Sequence, residues 1–324
     1  MTKIAIYIYE NCLYSSIIGP VDVFSVAGQR NGSPLFDVTL VSANGNTMNS
    51  FNGVPIKVDQ SIDDPEQFDV IFIPAIVDAS STFIIDKKYD VKSVNRWLRT
   101  QFRGGAYLVS VCAGAFILAA TGLLDGHSAT THWAFTTPFQ QAFPKIQLKA
   151  ENMLIEEGRL ITAGGITAYY DMALHLVRLF GSAELASLCS KIFLIDSGRT
   201  MQTPYELMDH RFHHGDAIIE QAQQFIHENY KTPLSIAQLA DELHLGERTF
   251  LRRFKKAAGM TPSEYVQKVR IEAAKQRLEQ TRLSIDEITW EVGYTDSTAF
   301  RRLFKKQLDL TPGEYRRKFS VIRS

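Results

Sequence analysis

Cys112 lies where an apolar, strand-forming segment, Tyr107–Val111, gives way to small residues at positions 113–115 and then to a predicted helix. A thiol at a helix N-terminus has a lowered pKa because of the helix dipole, and the turn exposes its sulfur. This arrangement is typical of a nucleophile elbow, and His132 is the candidate base partner. A buried structural cysteine is the competing interpretation, so the residue pattern locates a site without establishing catalysis.

A second kind of chemistry is indicated near the other end of the chain, where a sequence is duplicated. Residues 234–239 match residues 283–288, and after one inserted residue Phe250 and Phe254 match Phe300 and Phe304. Shared spacing of this kind indicates a duplicated supersecondary unit.

Each copy carries the signals of a helix, a tight turn and a second helix. Ser235 with Gln238, and Ser284 with Glu287, predict capping boxes at the start of the first helices. Apolar residues follow at helical spacing, and the paired phenylalanines give each second helix an inner face. This is the helix-turn-helix unit, whose second helix enters the DNA major groove.

The outer faces of the two predicted second helices are basic. Guanidinium groups can pair with guanine and hydroxyls can reach any base, whereas lysines near the helix end are better placed for phosphates. Solvation of a helix face is the simpler explanation of any charge run, but two copies with matched polarity favour DNA contact. The candidate DNA-contacting residues are Arg248, Leu251, Arg252, Lys255, Ser297, Thr298, Arg301, Arg302 and Lys305, and Arg253, Lys256 and Lys306 complete the basic sets.

The net charge of zero conceals an asymmetry that agrees with this assignment. The chain holds 35 Lys and Arg against 35 Asp and Glu; residues 216–324 hold 19 against 15, and residues 1–215 hold 16 against 20. A basic half is a weak indication of nucleic-acid binding by itself. It gains weight here because the bases lie on the predicted second helices.

Residues 217–319 resemble the AraC/XylS-type DNA-binding domain, in which one long helix joins two helix-turn-helix units. The resemblance rests on GYTDSTAFRRLFK at 293–305 and on TPGEYR at 311–316, and it places the long helix at 262–280 with Thr261 as its N-cap. It implies that the base-reading positions are Arg248, Leu251 and Arg252 in the first unit and Ser297, Thr298 and Arg302 in the second, with Arg301 flanking. Among them Leu251 replaces a polar reader and can contact a thymine methyl. The resemblance also implies an operator or promoter DNA partner, RNA polymerase and a homodimer.

The remainder of the chain predicts an α/β domain with a parallel sheet and helices on both faces, because strand and helix segments alternate. Ligands of such folds bind outside the carboxyl ends of the strands. The predicted strands are 4–9, 37–42, 70–74 and 107–111 with a hairpin of 152–156 and 159–162, and the predicted helices are 20–30, 88–103, 113–121, 134–142, 166–180 and 183–195.

Residues 3–195 resemble the PfpI-type branch of the class I glutamine amidotransferase-like superfamily, which has a flavodoxin-like fold. The matching segments are GPVDVF at 19–24, VSVCAGAF at 109–116, GLLDG at 122–126, THW at 131–133 and GGITA at 164–168. A domain of this kind followed by an AraC-type domain is similar to the GlxA-like transcription regulators. That resemblance implies a small-molecule effector, such as a nitrogen-containing metabolite.

Two departures from the superfamily bear on catalysis. Ser16 occupies the position where the enzymes place an acid that hydrogen-bonds the cysteine, and Ala113 stands where many carry a histidine. A hydroxyl cannot share a proton with a thiol as a carboxyl does. The sequence therefore predicts a degenerate site that binds a ligand through Cys112, His132, Ala113, Ser16 and Ala75. A Cys-dependent hydrolase or amidase with an accessory DNA-binding module is the alternative.

The length of 324 residues predicts two domains. We expect a sensor domain at 1–195, a linker at 196–216 and a DNA-binding domain at 217–324. The odd number of three widely spaced cysteines fits the reducing cytoplasm, and no segment is apolar enough to span a membrane. No cofactor or metal is expected, since His210, His213 and His214 lack a matching ligand spacing.

Overall fold

The computed structural model describes residues 1–76, 91–196, 198–208 and 214–322. Its contacts divide the chain into two compact units, Met1–Thr203 and Pro204–Ser324. The division lies inside the segment 196–216 that the sequence predicts as a linker. In the described part of the chain, no helix is long and apolar enough to cross a membrane.

The first unit is built on a seven-stranded sheet with the order β10-β11-β7-β6-β1-β2-β5. Every neighbouring pair is parallel except the edge hairpin of β10 and β11. Two pairs of short strands, β3 with β4 and β8 with β9, lie outside this sheet. The strands are β1 Thr2–Ile8, β2 Phe36–Ser42, β3 Met48–Asn49, β4 Pro55–Ile56, β5 Gln60–Ser61, β6 Val70–Ile73, β7 Tyr107–Val111, β8 Ser128–Ala129, β9 Gln147–Leu148, β10 Leu154–Glu157 and β11 Leu160–Ala163.

Helices flank this sheet in two groups, since α1, α5 and α6 pack together and α2 packs against α3. The central strands are buried on both faces, as their runs of Ile, Val and Leu require. The helices of this unit are α1 Ser15–Asn31, α2 Val91–Arg103, α3 Gly114–Ala120, α4 Thr136–Ala142, α5 Tyr169–Phe180 and α6 Ala183–Ile192. The α/β fold class predicted from alternation is confirmed.

Several predicted boundaries shift. The helix predicted over 166–180 begins as a 3₁₀ turn, Ile166–Ala168, and the one predicted over 183–195 ends at Ile192. The start predicted at residue 88 lies outside the described residues. The hairpin forms one to two residues later than predicted, around Gly158 in a left-handed conformation.

The second unit is helical throughout its described residues, apart from its connecting turns. Its helices are α7 Ala217–Asn229, α8 Ile236–Glu242, α9 Glu247–Ala258, α10 Pro262–Gln280, α11 Ile285–Glu291, α12 Ser297–Leu308 and α13 Pro312–Phe319. The long helix α10 has the predicted bounds, with a capping box between Thr261 and Glu264. Two hydrophobic clusters, one in each copy of the repeat, form the core of the second unit.

The predicted capping boxes differ between the copies. Ser284 and Glu287 form a complete, reciprocal box at the start of α11. At the start of α8, Ser235 accepts from the backbone N–H of Gln238, and no return bond from the Gln238 side chain is found in this described segment. An amide is a weaker acceptor for the N-cap N–H than the charged carboxylate of Glu287, which explains the difference.

Candidate nucleic-acid interface and elbow pocket

Helices α9 and α12 are the second helices of the two repeats, and each buries its paired phenylalanines. Phe250 and Phe254 are fully buried with ring centroids 5.6 Å apart, and Phe300 and Phe304 are fully buried at 5.7 Å. Burial of an aromatic side chain on one face fixes which residues of the helix face outward. The opposite face of each helix is therefore held toward solvent by the core.

On α9 the outward residues are Arg248, Leu251, Arg252 and Lys255, all exposed. Leu251 exposes 37% of its surface, so an apolar side chain stands among the bases without core packing to explain it. Its neighbours three and four residues away on the helix are Arg248 and Lys255. This face combines positive charge with one apolar contact point.

Arg253 does not belong to that face. Its guanidinium binds Asp216 with two hydrogen bonds of 2.7 and 3.0 Å. The Arg253 guanidinium holds the pKa of the Asp216 carboxyl below its ordinary value. The prediction that Arg253 belongs to the outer basic set is wrong, because its guanidinium is paired with Asp216, the N-cap residue of α7.

On α12, Thr298, Arg301, Arg302 and Lys305 are exposed, while Ser297 is half-buried. These four exposed side chains line one shallow surface depression together with Lys306, Asp309 and Thr311. Lys305 and Lys306 lie in the last turns of the helix, where positive charge is favourable and phosphates are within reach.

Ser297 and Arg301 share a carboxylate that sequence reasoning missed. The Ser297 hydroxyl donates to Asp286 of α11, and Arg301 Nη2 lies 3.0 Å from the same carboxylate. Arg301 Nε also donates to Ser297 Oγ at 3.2 Å. The hydrogen bond from Ser297, followed by that from Arg301, holds the pKa of Asp286 below its usual value. The unused sequence signal for this pair is Asp286 itself, because the first copy has Ala237 at the matching position.

The elbow in the first unit has the predicted backbone but not the predicted exposure. Cys112 follows β7 with a φ of 56°, an uncommon conformation for a residue with a side chain. Its side chain is fully buried, with Sγ 4.0 Å from the carbonyl oxygen of Ile76. Burial raises the pKa of the Cys112 thiol to about 12. The predicted exposed thiol with a lowered pKa is wrong, because desolvation of the thiolate outweighs the helix N-terminus.

Ser16, Ala75 and Ala113 are fully buried beside the strand ends, but the Ser16 hydroxyl is occupied by backbone. It donates to the carbonyl of Leu13 at 2.7 Å and accepts from the N–H of Ala75 at 3.0 Å. Ser16 therefore joins α1 to the end of β6 through Ala75.

His132 is poorly suited to act as a base, because a backbone N–H of its own loop occupies one ring nitrogen. Its Nδ1 accepts from the N–H of Ala134 at 3.1 Å, and burial lowers the pKa of the ring. The neutral ring therefore carries its proton on Nε2, and its lone pair at Nδ1 is already engaged. The ring also lies 5.0 Å from Trp133 and 5.7 Å from Phe135, centroid to centroid, so the loop presents aromatic surface.

Gln202 is a second residue that sequence reasoning missed. It is buried, and its amide nitrogen faces the carbonyls of Thr131, Ala150 and Asn152 at 2.8 to 3.0 Å. Its position in a polar segment with Gly and Pro concealed this role. In the described part of the chain, no group of three or more His, Cys, Asp or Glu is arranged to hold a metal.

Comparison with known proteins identifies both units. The model of the DJ-1/PfpI family matches residues 2–179, and the model of a helix-turn-helix domain matches residues 239–318. The HTH-type transcriptional regulator GbdR of Pseudomonas aeruginosa is 27% identical over 305 residues, covering 93% of this chain and 80% of that protein. Isonitrile hydratase of Pseudomonas putida is 29% identical over 188 residues, covering 57% of this chain and 75% of that enzyme.

A solved structure described as an AraC family transcriptional regulator from Pseudomonas putida superposes on the chain with a TM-score of 0.52. It is 17% identical, and the match covers 60% of this chain and all of that one. At this identity the likeness concerns the fold. The resemblances that the sequence suggests, to the PfpI-type domain and to regulators with a helix-turn-helix domain, are confirmed.

Proposed function

Since the chain belongs to the DJ-1/PfpI family and continues into a helix-turn-helix domain, we propose that it is a sequence-specific transcription regulator controlled by a small molecule. The observation that carries this proposal is the pair of helices α9 and α12, each with a buried phenylalanine face and an exposed basic face. The similarity to a transcriptional regulator over 93% of this chain supports it.

DNA is read by α9 and α12 in successive major grooves, about 34 Å apart on one face of the duplex. Arg248, Leu251 and Arg252 read one half-site, and Thr298 and Arg302 read the other. Lys255 and Lys305 bind phosphates. Ser297 and Arg301 contribute through the geometry that Asp286 imposes on them.

Selection of random DNA by the purified full chain tests this assignment. The enriched sites should contain two half-sites 10 to 10.5 base pairs apart, to within about one base pair. Arg252→Ala should relax base preference in one half-site and Arg302→Ala in the other, each at a cost of about 1–3 kcal/mol. Lys305→Ala should weaken binding to all sequences alike and reduce the salt slope by ~1. Identical changes in the three variants would contradict the placement of these helices in the groove.

The first unit is proposed to hold the effector at the carboxyl ends of its strands. The residues proposed to line this site are Cys112, His132, Ala113, Ser16 and Ala75. A small, nitrogen-containing metabolite is the proposed class. The aromatic surface of the 132–135 loop suits such a ligand, because aromatic rings attract cationic nitrogen.

The elbow is proposed not to be catalytic, and three features support this. The thiol is buried with a raised pKa, Ser16 is occupied by backbone, and His132 has its lone pair engaged. The similarity to isonitrile hydratase favours the alternative enzyme and supplies its test. Full chain and Cys112→Ala should hydrate a simple isonitrile at the same background rate. Rapid hydration by the full chain that Cys112→Ala abolishes would establish the enzyme instead.

A cytoplasmic homodimer that contacts RNA polymerase completes the proposal. The domain limits 1–195, 196–216 and 217–324 stay a prediction, and the contacts divide the chain within the predicted linker, after Thr203. Sedimentation of the full chain tests the dimer. A monomer at micromolar concentration would remove it from the proposal without affecting DNA reading by the two helices of one chain.

A further inference from the structure

The segment 199–206 is anchored at both ends by side chains, although it lies within the predicted linker. Residues up to Thr203 belong to the first unit and residues from Pro204 to the second. Each part makes specific contacts within its own unit. Thr203 alone separates the anchored Gln202 from Pro204, which is buried and whose carbonyl accepts from the Tyr315 hydroxyl at 3.5 Å.

Gln202 is the buried side-chain anchor in the first unit, and it adds to the Arg199–Asp171 ion pair and to the backbone hydrogen bonds of Thr200 and Gln202. Its side-chain oxygen accepts from the backbone N–H groups of Gly165 at 3.0 Å and Trp133 at 3.3 Å. Its amide nitrogen faces Thr130 Oγ1 at 3.2 Å in addition to three backbone carbonyls. The fit is close, because a Cβ at Gly164 would lie 1.9 Å from the Gln202 amide nitrogen. A buried amide with all its polar atoms paired is difficult to displace without a compensating partner.

The loop that Gln202 holds is the loop of the proposed effector site. Thr131 donates its hydroxyl to the carbonyl of Cys112 at 2.9 Å, and its own carbonyl accepts from Gln202. Thr131 therefore lies between the elbow and Gln202. His132 and Trp133 follow directly.

The second unit holds the other end of the segment. The carbonyl of Glu206 accepts from the buried Lys275 at 2.5 Å, and the Glu206 carboxylate binds Lys268 at 2.8 Å. The ring of Tyr205 lies edge-on to Phe319, 5.3 Å between centroids. Lys268 and Lys275 belong to α10, the helix that joins the two helix-turn-helix repeats.

We infer that Gln202 is the positioning residue through which the proposed effector site at the elbow controls the DNA-binding unit. This inference rests on the proposed function. A ligand that moves the 130–133 loop changes the hydrogen bonds of Gln202, and the one-residue span at Thr203 passes that change to Pro204–Glu206 and α10. A free linker of ordinary composition would absorb such a movement, whereas a segment anchored at both ends transmits it.

A double-mutant cycle on the full chain tests the inference without a known ligand. Thr131→Val removes the hydroxyl bond to the Cys112 carbonyl at the elbow, and Gln202→Ala removes the buried side-chain anchor. Thr131→Val should change affinity for the selected DNA site by about fivefold or more in the native background, the lower end of typical allosteric coupling. In the Gln202→Ala background the same change should have less than about a twofold effect. Gln147→Ala, at an exposed glutamine of the same unit, is the matched control and should leave the Thr131→Val effect intact.

Hydrogen exchange of residues 198–206 measures how firmly this segment is held, which DNA affinity does not measure. Gln202→Ala should accelerate exchange there while the strands of the first unit stay protected. Gln202→Asn, which keeps the amide and shortens its reach, replaces Gln202→Ala if the latter unfolds the first unit. A full chain that enriches no DNA sequence overturns the proposed function and this inference together. If the full chain enriches a DNA sequence but the effects of Thr131→Val and Gln202→Ala on DNA affinity are additive, this inference alone is overturned.

Discussion

The two helix-turn-helix repeats of the second unit share their cores and differ at the positions that face outward or turn. Phe250 and Phe254 in the first copy are matched by Phe300 and Phe304 in the second, all fully buried. Duplication has kept the residues that make the unit fold. The turns, caps and outer faces have diverged, so the copies are not interchangeable readers of DNA.

The turn between the two helices shows the divergence in backbone terms. A left-handed residue occupies the same place in both copies, His244 with a φ of 55° and Gly293 with a φ of 87°. His244 is exposed, whereas Gly293 approaches the backbone carbonyls of Tyr230 and Lys231. The second turn therefore packs against the chain that leads into the first repeat, whereas the left-handed residue of the first turn is exposed.

The largest expected effect is that of Gly293→Ala. The new Cβ would lie 2.6 Å from the Lys231 carbonyl oxygen and 2.9 Å from that of Tyr230, in a conformation that disfavours any side chain. We expect a loss of about 2–4 kcal/mol in the free energy of unfolding of the second unit, from backbone strain and overpacking together. Urea denaturation followed by helical circular dichroism measures it.

His244→Gly is the matched change in the other copy and should stabilise by about 0.5 kcal/mol, because relief of the left-handed strain exceeds the added chain entropy only slightly. A gain from His244→Gly as large as the loss from Gly293→Ala would show that the turns are equivalent after all.

The next effect concerns the start of the second helices. Asp296 caps α12 by accepting from the N–H groups of Thr298 at 2.8 Å and Ala299 at 3.1 Å, whereas Gly246 at the start of α9 has no side-chain cap. Asp296→Ala should lower the stability of the second unit by about 1 kcal/mol, and Asp296→Asn by a few tenths at most. Gly246→Asp should gain a few tenths. Thermal unfolding of the three variants measures this order, and a loss in Asp296→Asn equal to that in Asp296→Ala would contradict the capping role.

The repeated scaffold was predictable from sequence because its helices are determined by residues close together in the chain. Helical spacing of apolar residues, the Thr261–Glu264 cap and the paired phenylalanines gave the helices and the long α10 with correct bounds. Alternation of strand and helix gave the α/β class in the same way.

The site details were less predictable because they depend on partners distant in sequence. The burial of Cys112 depends on a neighbour 36 residues away, Arg253 is bound by a residue 37 positions before it, and Gln202 binds Thr131 across 71. Residue type and local spacing carry no signal for such pairs. The helix N-terminus at Cys112 was correctly located, but its effect on the thiol could not be weighed against a desolvation that only the fold creates.

The smallest expected effect tests the outer faces. In the second copy Asp286 binds both Ser297 and Arg301, with the Asp286 and Arg301 side chains about half exposed, and in the first copy the corresponding positions are Ala237 and Leu251. An exposed ion pair contributes little stability, so its consequence should be sought in DNA binding. Asp286→Ala releases the guanidinium of Arg301 to bind a phosphate, which should steepen the dependence of log Kd on log salt by about 0.9, the value for one added phosphate contact. Preference for the selected site over random DNA should fall, because the new contact reads no sequence.

Asp286→Asn, which keeps an acceptor for Ser297, should show a smaller change. Ala237→Asp adds a carboxylate opposite Leu251, which cannot pair with it, so this variant should weaken binding to all DNA. Fluorescence anisotropy at several salt concentrations measures each slope, and an unchanged slope in Asp286→Ala would mean that Arg301 already contacts the backbone while bound to Asp286.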